Sequence, residues 1–147
     1  MFNLSDNKDK VSSSMHEFSK KYKNHVGFSK KIKIKTINLA SHLETQNIDF
    51  IDEYISDAEG HDLTILKSLE EFVFTNRVKK IQCEVTRNNK SNPHLNTNNY
   101  EESFDKFLPP QYKKICSGWG SLLTVGKFDD VPSHYEFMDV IWLNRMN

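Results

Sequence analysis

The chain has 147 residues, enough for one domain with a buried core. Twenty basic residues balance twenty acidic ones, so no net field draws a polyanion and no nucleic-acid partner is expected. No apolar run reaches membrane-spanning length, and the opening MFNLSDNKDK lacks an apolar signal core, so no membrane partner is expected either. Cys83 and Cys116 have no metal-ligand spacing and lie in strand-like stretches. They read as buried, reduced thiols, which predicts a cytoplasmic location.

Residues 1–30 read as a poorly defined N-terminal segment. Phe2 and Leu4 alternate with polar residues, and Asp6-Asn7-Lys8-Asp9 reads as a turn. The basic Lys20-Lys21-Tyr22-Lys23 reads as a solvated face. Lys31 to Leu39 alternates, with Ile32, Ile34 and Thr36 on one face and lysines on the other. That pattern predicts a half-exposed strand near a sheet edge. Ala40 to Gln46 follows as a short helix, with Ser41 as its candidate cap.

Ile51 to Ser56 is short, apolar and aromatic enough for a buried strand. Asp57-Ala58-Glu59-Gly60-His61-Asp62 reads as a tight acidic turn. From Leu63 onward, Leu63, Leu66, Leu69 and Val73 recur at helical spacing, so one helix is expected, with Asp62 as its N-cap. Lys79 to Thr86 alternates again and predicts a second strand. A strand, a crossover helix and a strand imply a right-handed parallel pair. Both strands then end at one sheet edge, where open α/β sheets bind ligands. Asp57, Glu59 and Glu84 would meet there.

Arg87 to Asn99 is polar and rich in asparagine, with Pro93 inside it. It reads as a solvated insertion, or as a lid leaving the ligand edge. Tyr100 to Leu108 predicts a helix that Pro109-Pro110 stops. Tyr112 to Cys116 and Ser121 to Val125 read as strands, Phe128 to His134 as a turn-rich connector. Phe137 to Leu143 closes the chain as an apolar strand, expected to pair antiparallel with the preceding one. The fold class is α/β, with a partly parallel sheet of about five strands flanked by helices.

The stretch ISDAEGHDLTILKSL resembles the acidic strand–turn–helix motif of the FkbM-type methyltransferases: aspartate, any residue, glutamate or glutamine, glycine, then a helix with a central leucine. Asp57, Glu59, Gly60, Asp62 and Leu66 fall on that pattern. IQCEV (Ile81 to Val85) resembles the family's next strand, and YEFMDVIW (Tyr135 to Trp142) the closing strand of one branch. The resemblance implies that residues 31–147 are the C-terminal portion of such a domain. The implied fold is the second half of a Rossmann-like class I methyltransferase sheet, partly parallel with an antiparallel closing strand.

The implied activity is S-adenosylmethionine-dependent methylation of a hydroxyl on a small molecule or glycan acceptor. In that reading Asp57 or Glu59 removes the hydroxyl proton and Glu84 orients the partner. Such enzymes hold the cofactor at a glycine-rich turn, with a carboxylate on the ribose. Gly27, Gly60, Gly118, Gly120 and Gly126 are the five glycines, and none has that context. The cofactor-binding half is therefore expected from a missing N-terminal half or a partner chain, and self-association is expected of the chain alone. Two other readings stand beside this one. The chain could be a non-catalytic fragment or interaction domain, or a small metal-dependent hydrolase using Asp57, Glu59 and His61.

Overall fold

The computed structural model describes residues 1–9, 12–20, 22–87, 93–119, 122–124 and 137–146. A five-stranded mixed sheet carries the fold. It is built from β3 (Ile51–Ser56), β4 (Val78–Thr86), β5 (Tyr112–Trp119), β6 (Leu122–Thr124) and β7 (Phe137–Asn144). Their order is β3-β4-β7-β5-β6. β3 and β4 are parallel, with Tyr54 beside Ile81 and Ser56 beside Cys83. β7 runs antiparallel to both β4 and β5, so β4 and β5 point the same way. The chain is thus α/β with a mixed sheet, and the closing strand lies inside the sheet. The connector expected at Phe128 to His134 lies outside the described residues.

Alternation along the strands sorts the two sheet faces. Ile81, Cys83 and Val85 of β4 and Met138, Val140 and Trp142 of β7 are buried. They meet Leu63 and Leu66 of α2 (Asp62–Lys67), Phe72 and Val73 of α3 (Glu70–Phe74), and Phe104 of α4 (Glu101–Phe107). The rings of Phe104 and Trp142 stack with centroids 5.4 Å apart. The expected single helix after the acidic turn is two short ones. Ser68 ends α2 and its hydroxyl donates to the Ile65 carbonyl. A side-chain hydroxyl competing for a helix carbonyl favours such a break. Leu69, between them, is fully buried.

The opposite face of the sheet is polar and mixed. Glu53 pairs with Lys80 across the parallel register, and Ile55 is 62% exposed on edge strand β3. Edge placement explains why β3 buries only Tyr54, where the sequence suggested a buried strand.

The N-terminal residues make a second, two-stranded antiparallel sheet from β1 (Phe2–Ser5) and β2 (Phe28–Ile32). The strand expected over Lys31 to Leu39 is therefore displaced: it ends at Ile32 and pairs with β1, outside the main sheet. The boundary expected at residue 30 falls inside β2. α1 (Leu39–Thr45) is capped by Asn38, whose side chain accepts from the Ser41 amide at 3.0 Å, so Ser41 is inside the helix. Among the described residues no helix is long and apolar enough to cross a membrane.

Candidate functional site

The polypeptide leaves β3 into the turn at 57–61. Glu59 and Gly60 both take left-handed backbone, at φ 49° and 89°. That conformation disfavours a Cβ, so two successive residues there mark a turn held in place by its surroundings. The surroundings are visible. Ser14 Oγ donates to the Glu59 carbonyl at 2.7 Å, and the Thr97 hydroxyl donates to the Gly60 carbonyl. A Cβ on Gly60 would lie 2.6 Å from His94 Cδ2.

Asp62 anchors the turn from inside. It is fully buried, and its Oδ1 accepts from Ser56 Oγ at 2.5 Å and from the Ala58 amide at 2.9 Å. Its Oδ2 accepts from Asn99 Nδ2 at 3.1 Å. Asp62 is the first helical residue, and the preceding His61 makes no side-chain cap. The capping acceptor is Asn99, whose Oδ1 receives the Leu63 amide at 2.9 Å. So the sequence assigned the cap to the wrong residue. A side chain remote in sequence does the same physical work, satisfying an orphan amide of the first turn.

A loop expected to be a solvated insertion or a lid, and an N-terminal segment expected to be poorly defined, build this site. Residues 93–99 do not form a solvated excursion, because His94 and Asn99 are buried. The Asn99 carbonyl also receives the Thr86 amide and hydroxyl, tying the loop to the end of β4. The N-terminal segment crosses the same region. His16 Nε2 lies 2.9 Å from His61 Nδ1, the Leu95 amide donates to the Glu17 carbonyl, and Phe18 stacks on Phe28 at 4.6 Å.

Five carboxyl groups gather at the carboxyl end of the parallel pair. Burial, then Asp57, Glu59, Asp62 and Asp139, push Glu84 up to about 9. Asp57 is open to solvent, yet partial desolvation and then Glu59, Asp62 and Asp139 raise it. Burial raises Asp62 and Asp139 as well. At neutral pH Glu84 is a neutral acid that can donate a hydrogen bond. Asp57 stands beside it as a carboxylate of increased basicity.

The sequence placed Asp57, Glu59 and Glu84 at one edge, and the structure brings them within electrostatic reach of each other. It does not join His61 to them as a ligand set. Glu59 faces His94, 3.5 Å from its Nε2, while His61 bonds His16. Among the described residues no group of three or more His, Cys, Asp and Glu is arranged to hold a metal ion. Asp139, Asn99, His16 and His94 were missed. A lone aspartate in the apolar run FMDVIWL was the available signal for Asp139; the others are brought in only by tertiary packing.

Gly27 and Gly60 do not fit a cofactor cradle. The face of Gly60 is filled by His94, and a Cβ on Gly27 would lie 2.5 Å from Asp6 Oδ2. Each glycine thus admits a side chain of its own chain where a dinucleotide-type turn would admit a ligand. Comparison with protein-family models, with curated proteins and with solved structures finds no match.

Proposed function

We propose that this chain is the hydroxyl-activating side of an S-adenosylmethionine-dependent O-methyltransferase. The observation that carries the reading is the acidic turn at the carboxyl end of the parallel β3–β4 pair, with Glu84 beside it and antiparallel β7 inserted next to β4. This is the strand–turn–helix arrangement that the resemblance of residues 31–147 to FkbM-type domains implies. S-adenosylmethionine would supply the methyl group, and its cradle is assigned to a partner chain or a segment beyond this sequence. Asp57 or Glu59 accepts the acceptor hydroxyl's proton, and protonated Glu84 orients that oxygen by donating to it. The acceptor is a hydroxyl-bearing small molecule or glycan.

The test is methyl transfer from S-adenosylmethionine to a panel of phenols, alcohols and sugars, read by mass spectrometry on the chain with its co-purifying partners. Asp57→Asn or Glu59→Gln should lower transfer by about 10²–10⁴-fold if that residue is the base. Absence of transfer to every acceptor, with partners present, would refute the reading.

A second reading, an interaction domain derived from the same fold, is favoured by edge strand β3. Ile55 on that strand and Ile48 and Phe50 just before it are all exposed. An unpaired edge with apolar side chains is a surface for another chain.

A further inference from the structure

β3 stands at the end of the five-strand order, and among the described residues it pairs with β4 alone. The Ile51 amide donates to the Arg77 carbonyl at 2.8 Å, on the β4 side. Backbone groups alternate in direction along a strand, so those of Asp52 and Tyr54 point away from β4, toward the open edge. Phe50 and Ile55 are 44% and 62% exposed along that edge.

A second stretch has the complementary character. Lys33-Ile34-Lys35-Thr36-Ile37 follows Ile32, where the pairing of β2 with β1 ends. It forms no helix or turn, and all five residues are exposed. Among the described residues, none exchanges a backbone hydrogen bond with residues 34–37. The alternation that suits this stretch to a strand is thus present without a strand beside it.

The two stretches carry opposite charge. Asp49, Asp52 and Glu53 lie on the β3 side, Lys33 and Lys35 on the other. Glu53 is already paired with Lys80. Asp52, Lys33 and Lys35 are exposed and form no ion pair with a described residue. Set antiparallel with Lys35 opposite Asp52, the stretch brings Ile37 opposite Phe50 and Lys33 opposite Tyr54. On the other face Ile34 falls diagonal to Ile51 and Ile55, within the reach of cross-strand neighbours. Pairing β3 with β3 of a second copy would instead set acids against acids, which destabilises a ladder.

We infer that β3 takes residues 33–37 of a second copy of this chain as an added antiparallel strand, with Lys35 opposite Asp52 and Ile37 opposite Phe50. The inference rests on the reading of β3 as an interaction edge and names what that edge binds. Main-chain bonds supply the affinity of such strand addition, and alternate side chains its specificity. The contact joins two different patches of one chain, so it is head-to-tail.

The experiment is a charge exchange followed by sedimentation over a series of concentrations. Asp52→Lys alone, and Lys33→Glu with Lys35→Glu, should each weaken self-association by at least about tenfold. The two variants mixed should associate again, because the acidic stretch of one meets the basic edge of the other. A single chain carrying all three substitutions should associate within about threefold of the unaltered chain. Should a variant fail to fold, a peptide of residues 31–38 added to the unaltered chain serves instead. It should dissociate the assembly, and the same peptide with glutamate in place of Lys33 and Lys35 should not. Equal action of the two peptides, or variants that stay apart on mixing, would overturn the inference. Association that Ile55→Lys suppresses and the paired lysine substitutions leave unchanged would overturn it too, while keeping β3 as an edge for a different partner. Absence of association at every concentration would overturn both the inference and the interaction-edge reading.

Discussion

Glu84 stands directly opposite Asp139 across the antiparallel β4–β7 ladder. Like charges facing each other on a sheet destabilise it, which adds to the effect of burial in favouring a protonated Glu84. Burial first, and then the carboxylates around it, hold Glu84 near 9.

This arrangement fixes the pH dependence of stability. The folded value of Glu84 lies above its ordinary 4.5. Between the two, the native state keeps a proton that the unfolded chain has released, so stability falls as pH rises from about 4.5 to about 9. Asp57, Asp62 and Asp139 act in the same direction. His16 acts oppositely: its folded value near 4 lies below 6.5, so its contribution is lost as pH falls between these values. Urea unfolding should therefore show steady loss of stability between about pH 6.5 and 9, where the carboxyl effect outlasts that of His16. Glu84→Gln should flatten that loss, and a slope unchanged by the substitution would show that Glu84 is not its source.

Asn99 gives both its amide hydrogens and its oxygen to one junction: Asp62 Oδ2, the Glu84 carbonyl and the Leu63 amide. Asn99→Ala leaves a buried carboxyl oxygen and a helix-start amide without these partners. Loss of about 2–4 kcal/mol is expected, from two unsatisfied buried groups. Chemical denaturation measures it; a loss below 0.5 kcal/mol would mean that water replaces the side chain at little cost.

Gly60→Ala combines unfavourable φ with a contact that would sit 2.6 Å from His94. His94 would have to shift, and with it the ring contact to Phe18 at 5.2 Å. About 2 kcal/mol should be lost on thermal unfolding. Gly27→Ala meets only the end of the Asp6 side chain and should cost less. The reverse order would contradict the packing described.

The sequence made the parallel pair legible because period-two alternation, a glycine-bearing turn and a helical stripe follow one another in a single stretch. Local pattern and tertiary placement agree there, and Asp57 and Glu84 fell at the predicted edge. The β2 region was misplaced because Ile32, Ile34 and Thr36 continue an alternation whose later members find no partner strand. Asn99 and His94 were unreadable for another reason. Their roles come from hydrogen bonds and packing to residues more than thirty positions away, and a polar loop carries no periodicity to announce that.

Among the described residues β3 has a pairing strand on one side only, and Ile55 is exposed on it. Size-exclusion chromatography with light scattering should show concentration-dependent self-association of the chain. Ile55→Lys should suppress it while changing stability by no more than about 0.5 kcal/mol, as expected at an exposed site. A monomer at every concentration would remove β3 as an interaction edge.

That the carboxyl ends of β3 and β4 form one coupled acid–base site is tested most directly by the titration of Glu84 itself. Side-chain carboxyl ¹³C shifts followed against pH give its midpoint. The expected midpoint is about 9, moving down in Asp57→Asn because a neighbouring negative charge has gone. A midpoint in the ordinary carboxylate range, or one that Asp57→Asn leaves in place, would contradict the coupling on which the proposed chemistry rests.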